Sequence, residues 1–190
     1  MIAMKVIGLT GTIASGKEVV KEIIVKKFSS YQVSLSGAIR GEMEKRRRDF
    51  SRKTLQDMGN ELRQKYGTFV LAKVSTEFMS RDKPVLIVDG IRNPGEAEWL
   101  KKMYKNDFIL VGVDAPQQVR FERVQKRNRP LDPKTFEEFA ALDERDQGKN
   151  EPPYGQQVKR CIEMADIVVE NDGDESKLEA KMQEVFSKIR

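Results

Sequence analysis

Short apolar runs alternate with longer stretches of helical period along almost the whole chain. Residues 4–9 form a run bounded by glycine, the pattern of a strand buried on both faces of a parallel sheet. After a glycine-rich stretch, Val19, Val20, Ile23, Ile24 and Phe28 recur at helical spacing, with Lys21, Glu22, Lys26 and Lys27 on the other side. The alternation continues with a strand at 32–35 and a helix from about 36, which Ser36 is placed to cap. Helices follow at 52–66, striped by Leu55, Met58 and Leu62, and at 68–79. A central strand at 84–89 precedes a helix at 94–105 that carries proline in its first turn. A strand at 108–113 leads to a helix at 116–127 carrying Val119, Phe121 and Val124. Pro130 and Pro133 break the pattern before a helix at 134–146, and residues 148–155 form a loop. The last strand lies at 167–169, and a turn at 171–174 opens a terminal helix striped by Leu178, Met182, Val185, Phe186 and Ile189. Five apolar strands separated by helices predict an α/β fold, a parallel sheet covered on both faces whose ligands sit at the carboxyl ends of the strands. No internal repeat, low-complexity tract or second domain boundary interrupts residues 1–190.

Composition narrows the chemistry. At 190 residues the chain fits one domain, and 35 Lys and Arg against 30 Asp and Glu leave +5, too mixed for a histone-like coat. The absence of histidine removes Ser-His and Cys-His nucleophiles and every His-ligated metal site. Cys161, the single cysteine, has no disulfide partner and sits beside Ile162 as a small core residue would. Apolar runs such as 85–88 fall far short of the roughly 18 residues a membrane span needs, and no signal-peptide pattern opens the chain, so a cytoplasmic protein without membrane contact is expected.

Gly11-Thr12-Ile13-Ala14-Ser15-Gly16-Lys17 fits G-x-x-x-x-G-K between the predicted first strand and first helix, the context that motif requires. Its glycines let successive N–H groups turn around phosphate oxygens, and the helix N-terminus adds its positive dipole end. Lys17 supplies a mobile charge for the β- and γ-phosphates. A glycine turn with an incidental lysine is the bland alternative, and the strand–loop–helix context weighs against it. Glu18 departs from the motif, standing where Ser or Thr usually ligates Mg²⁺. Its carboxylate suits the helix dipole and repels phosphate, so it either holds the metal through water or points to solvent.

With Ile7-Gly8-Leu9-Thr10-Gly11 leading into the loop, the chain resembles the P-loop kinases of nucleoside monophosphates, adenylate- and deoxynucleotide-kinase-like, and those of dephospho-coenzyme A. The resemblance covers essentially the whole length and implies a three-layer kinase fold with a small acceptor-binding helical region at about 36–80 and a short lid at about 127–134. It implies ATP and Mg²⁺, with Gly11, Thr12, Ala14, Ser15, Gly16, Lys17 and Glu18 around the nucleotide phosphates. Residues 33–40 are similar to the segment whose arginine grips the acceptor phosphate, which gives that role to Arg40. Asp89-Gly90-Ile91-Arg92 resembles the Asp-Gly-Phe-Pro-Arg segment of adenylate-kinase-like enzymes, without the proline and with arginine one position early. It implies Asp89 as a holder of Mg²⁺ waters and Arg92 as an acceptor clamp, with Arg63 a further acceptor candidate. Arg120, Arg123, Arg127 and Arg129 look like lid arginines, with Arg123 and Arg127 joining Lys17 in catalysis, Arg129 at the lid tip on the acceptor, and Arg145 a possible addition. Residues 165–173 resemble the turn that lies near adenine in dephospho-coenzyme A kinases, which brings in Asn171 and Gly173.

Phosphoryl transfer to an anionic phosphate needs alignment and charge neutralisation more than a general base, so a site of Lys, Arg and one Asp suffices. The second strand lacks the aspartate that dephospho-coenzyme A kinases place beside the acceptor hydroxyl, which ranks a nucleoside or deoxynucleoside monophosphate first as the small-molecule acceptor. A dephospho-coenzyme A kinase or another small-molecule P-loop kinase is the alternative. A non-catalytic nucleotide sensor or nucleic-acid binder is the second, suggested by Glu18 and by the basic run Lys45-Arg46-Arg47-Arg48, although such a run is more often a solvated helix surface and nucleic acid is not the expected partner. Monomer and homodimer both stay open.

Overall fold

A computed structural model describes residues 4–77, 79 and 82–189. Five strands, β1 (Lys5–Gly11), β2 (Ser30–Ser34), β3 (Val85–Ile91), β4 (Phe108–Asp114) and β5 (Ile167–Glu170), form one parallel sheet in the order β2-β3-β1-β4-β5. The predicted five-stranded parallel sheet with helices on both faces is therefore the observed fold. The strand pleat accounts for both faces. Val6, Leu86, Val88 and Leu110 point into one core, with Ile39 and Met43 of α2 (Leu35–Lys45), Met58 and Leu62 of α3 (Arg52–Tyr66), Leu71 of α4 (Val70–Thr76) and Leu100 of α5 (Pro94–Tyr104). Ile7, Leu9, Ile87 and Val111 point into the other, against Val20 and Ile24 of α1 (Lys17–Lys27) and Met182, Val185 and Phe186 of α9 (Glu175–Ile189). A small third cluster joins Ile13 to Phe121 and Val124 of α6 (Gln117–Arg127) and Phe139 of α7 (Phe136–Gln147), so the loop after β1 rests on the helices that flank the predicted lid.

Several predicted boundaries move. The second strand ends at Ser34, because Leu35 belongs with Ile39 and Met43 on the buried stripe of α2. The helix predicted over 68–79 is confined to Val70–Thr76, and residues 78 and 80 of the expected acceptor region lie outside the described residues. Thr135 caps α7 through a reciprocal box with Glu138, which starts that helix at Phe136. The pattern missed α8 (Val158–Glu163), a six-residue helix whose buried side is only Val158 and Cys161. Cys161 is fully buried, as expected of a core thiol. Among the described residues no helix is long and apolar enough to cross a membrane.

Candidate active site

The loop between β1 and α1 is built as an anion cradle. Ala14 and Gly16 take left-handed backbone conformations at φ 61° and 92°. Gly16 is also pinned by space, since a Cβ there would stand 2.0 Å from Asn171 Nδ2. No side chain caps α1; the Val19 and Val20 N–H groups turn back to Gly16 O, and Lys17 and Glu18, which begin the helix, line the cavity. The loop carbonyls are drawn the other way. Arg120 Nη1 donates to Ile13 O at 3.2 Å, Arg123 Nη1 to Ser15 O at 3.2 Å and Asn171 Nδ2 to Ser15 O at 3.0 Å. Thr12 Oγ1 donates to Asp114 Oδ1 at 2.6 Å. The hydroxyl of Ser15 is buried without a hydrogen-bond partner, an orphan within the cradle.

Lys17 Nζ is paired with Asp89 at the carboxyl end of β3, and Lys21 Nζ lies 3.7 Å from the other Asp89 oxygen. Register along β1 and β3 skips Gly90, which takes a φ of 89°, so a bulge closes the strand between Asp89 and Arg92. The Glu18 side chain is 58% exposed and ion-paired with Lys21. Burial opposes the Lys21 charge, but Glu18 and Asp89 outweigh it and hold the ammonium above its ordinary pKa.

Arginines close the rest of the site. A cavity of about 370 Å³ over the loop is lined by Arg52, Arg92, Arg123, Arg127 and Arg129, drawn from α3, the end of β3, α6 and the segment after it. Arg92 is paired with the buried carboxylate of Asp146, which also accepts from Gln56 Nε2 at 3.3 Å. Arg127 grips Asp132 through Nε and Nη2, at 2.7 and 2.8 Å, and Arg52 Nη2 reaches the same carboxylate at 3.0 Å. Burial opposes the Asp132 charge, yet Arg127 and Arg52 bring its pKa down to about 2. Burial lowers the Arg52 pKa, and the neighbouring Arg127 and Arg92 push the same way against the opposing pull of Asp132. Burial likewise lowers that of Arg123.

The structure brings Gly11, Thr12, Ala14, Ser15, Gly16, Lys17, Glu18, Arg92, Arg123, Arg127 and Arg129 to one cavity, with Asp89 beside Lys17. It sets others apart. Arg40 is exposed on α2 and does not line the cavity. Arg63 is buried in an ion pair with Glu96, Nε to Oε1 at 2.7 Å. Asn171 lies behind the loop, where its carbonyl accepts from Arg123 Nη2 at 2.8 Å, while Gly173 is exposed at a φ of 108°. Arg120 is committed to buried Asp143, and Arg145 pairs with Asp57 and Glu151. Sequence reasoning missed Arg52, Asp132 and Asp146. One local signal existed for Arg52: it opens a helix whose first turn has no acidic residue, where the dipole disfavours a cation.

Comparison with known proteins agrees with this architecture. A family model described as an AAA domain matches residues 7–146. A UPF0200/UPF0201 protein of Archaeoglobus fulgidus is 33% identical over all of this chain, which spans 57% of that protein's length. A UPF0200 protein of Pyrococcus abyssi is also 33% identical, over 97% of this chain and 96% of its own. Among solved structures, the shikimate kinase of Bacteroides thetaiotaomicron superposes with a TM-score of 0.59 at 17% identity, covering 97% of this chain and 98% of that one, a similarity of fold. With a glycine loop, a five-stranded parallel sheet and relatives matched end to end, the chain belongs to the UPF0200 family of P-loop proteins with an AAA domain.

Proposed function

We propose that this protein is a phosphotransferase that moves the γ-phosphoryl group of ATP to a small phosphate-bearing acceptor, a nucleoside or deoxynucleoside monophosphate. The observation that carries the reading is the single cavity in which the glycine loop meets five arginines drawn from separate parts of the fold. Those arginines and Lys17 face three carboxylates, Asp89, Asp132 and Asp146, each already engaged by a cation. The cationic excess suits two phosphate groups brought together. A hydroxyl acceptor, as in dephospho-coenzyme A or shikimate, would call for a carboxylate free to take its proton; Asp132 and Asp146 are committed to arginines, and Asp89, released when Lys17 turns to phosphate, would be taken up by the metal.

The loop N–H groups and Lys17 would hold the donor phosphates, which requires Lys17 to exchange Asp89 for phosphate oxygen. Arg123 and Arg127 would neutralise charge on the transferring group, with Arg129 closing over it, and Arg92 and Arg52 would orient the acceptor phosphate by their planar forks. No group of three or more acidic or cysteine ligands occurs among the described residues, and Asp89 is the carboxylate paired with Lys17. That set fits Mg²⁺ arriving with the nucleotide and keeping most of its water, held through Asp89, where it would neutralise phosphate charge. Glu18, turned outward to Lys21, is the weaker candidate for that role.

The test is ADP formation from ATP and Mg²⁺ against ribo- and deoxynucleoside monophosphates, dephospho-coenzyme A and shikimate. A monophosphate-dependent signal that falls by about 10²–10³ in Lys17→Ala is expected. A signal only with a hydroxyl acceptor would replace the acceptor class. ATP binding with no transfer to any acceptor would overturn the reading in favour of a nucleotide sensor.

A further inference from the structure

The segment between α6 and α7 is exposed at residues 128–131 and 134–135, yet Asp132 within it is only 6% exposed. Burying a carboxylate in an otherwise solvated segment is costly unless every lone pair is used. Here Oδ2 accepts from Arg127 Nε at 2.7 Å and from the Arg129 N–H at 3.2 Å, while Oδ1 accepts from Arg127 Nη2 at 2.8 Å and Arg52 Nη2 at 3.0 Å. All three partners line the cavity over the glycine loop. Arg52 comes from the opposite side, 80 residues earlier on α3.

We propose that Asp132 is a positioning residue, which orients Arg127 and Arg52 from behind and so ties the segment after α6 to α3 across the phosphate cavity. Arg127 keeps Nη1, and Arg52 keeps Nε and Nη1, outside the bonds to Asp132. An orienting carboxylate spares an incoming polyphosphate the cost of ordering two long side chains, each worth about threefold in affinity. The rival role is a plain counter-charge that phosphate displaces, and the two predict opposite signs. Asp132→Asn adds one unit of positive charge to the cavity, so loss of a counter-charge tightens binding of a polyanion, whereas loss of an orienting group weakens it. The proposal rests on the phosphotransferase reading for its effect on rate, but its effect on binding does not.

The experiment is calorimetric binding of inorganic tripolyphosphate to the full chain at fixed ionic strength. Asp132→Asn is expected to bind about tenfold more weakly than wild type, and the loss to shrink below threefold when Arg127 and Arg52 are both already alanine. Unchanged or tighter binding in Asp132→Asn would overturn the proposal, as would the same loss in both backgrounds. Should Asp132→Asn fail to fold, Asp132→Glu keeps the charge while displacing the carboxylate. It is expected to lose at least threefold, and wild-type affinity there would count against positioning. A chain that binds tripolyphosphate but transfers nothing would sink the phosphotransferase reading and leave the positioning role intact; no tripolyphosphate binding by wild type would overturn both.

Discussion

Replacing Arg63 separates a structural role from an acceptor-binding one. The guanidinium and the Glu96 carboxylate are 1% and 0% exposed, so neither charge has water to fall back on. Glu96 is committed further, for its Oε2 accepts the Arg92 N–H at 2.8 Å and the Asn93 N–H at 3.1 Å, which starts α5. Arg63→Met therefore leaves a buried carboxylate with its backbone partners but without its counter-ion, a change that costs about 3–5 kcal/mol. Arg63 Nη1 is itself buried without a partner, so the pair as a whole contributes less than breaking it costs. Adding Glu96→Gln keeps an acceptor for the two backbone groups and removes the stranded charge, and is expected to recover at least half of the loss. Urea unfolding measures both variants. Cys161 gives a second readout: burial, then the nearby Glu96, push its thiol well above the ordinary range, so labelling proceeds only through opening. If that opening is global, labelling of Arg63→Met should accelerate by about 150- to 5,000-fold. Stability within about 1 kcal/mol of wild type, together with a much higher KM for the acceptor, would refute the reasoning and return Arg63 to the acceptor site.

Three further outcomes are expected. Gly16→Ala forces a Cβ to 2.0 Å from Asn171 Nδ2 at a φ of 92°, so it should cost about 2 kcal/mol and at least tenfold in ATP affinity, read by thermal melts and calorimetry. Because the Asp132 pKa is lowered to about 2 from 3.8, its contribution to stability, about 2 kcal/mol, is present above pH 5 and is lost as pH falls through about 2; urea melts of wild type and Asp132→Asn should therefore differ at pH 6 and converge near pH 2. Glu18→Ser removes an exposed carboxylate paired with Lys21, so the Mg²⁺ concentration for half-maximal turnover should stay within twofold, and a larger rise would put Glu18 on the metal.

The glycine-loop side of the site was legible because it is contiguous. Strand, loop and helix follow one another from Lys5 to Lys27, and each local rule there points the same way. Asp89 and Arg92 were legible because the end of a parallel strand is where such residues act. The arginine side of the cavity follows no local rule. Arg40, Arg52 and Arg63 all read as basic residues on predicted helices, yet one is exposed, one lines the cavity and one is buried against Glu96. Their separation depends on carboxylates that the chain brings from elsewhere: Glu96 is 33 residues from Arg63, and Asp132 is 80 from Arg52. The short helix α8 escaped for a related reason, since Val158 and Cys161 make a stripe too brief to show a period and are recognisable as one face only once a core lies beneath them. An arginine's charge is fixed by its chemistry, whereas the direction of its fork is set by whichever carboxylate takes its other edge. On the phosphotransferase reading, the aspartates behind the arginines, Asp132 and Asp146, shape the phosphate-binding side of the cavity as much as the arginines do, and substitutions there are expected to weaken phosphate binding while leaving the backbone of the glycine loop in place.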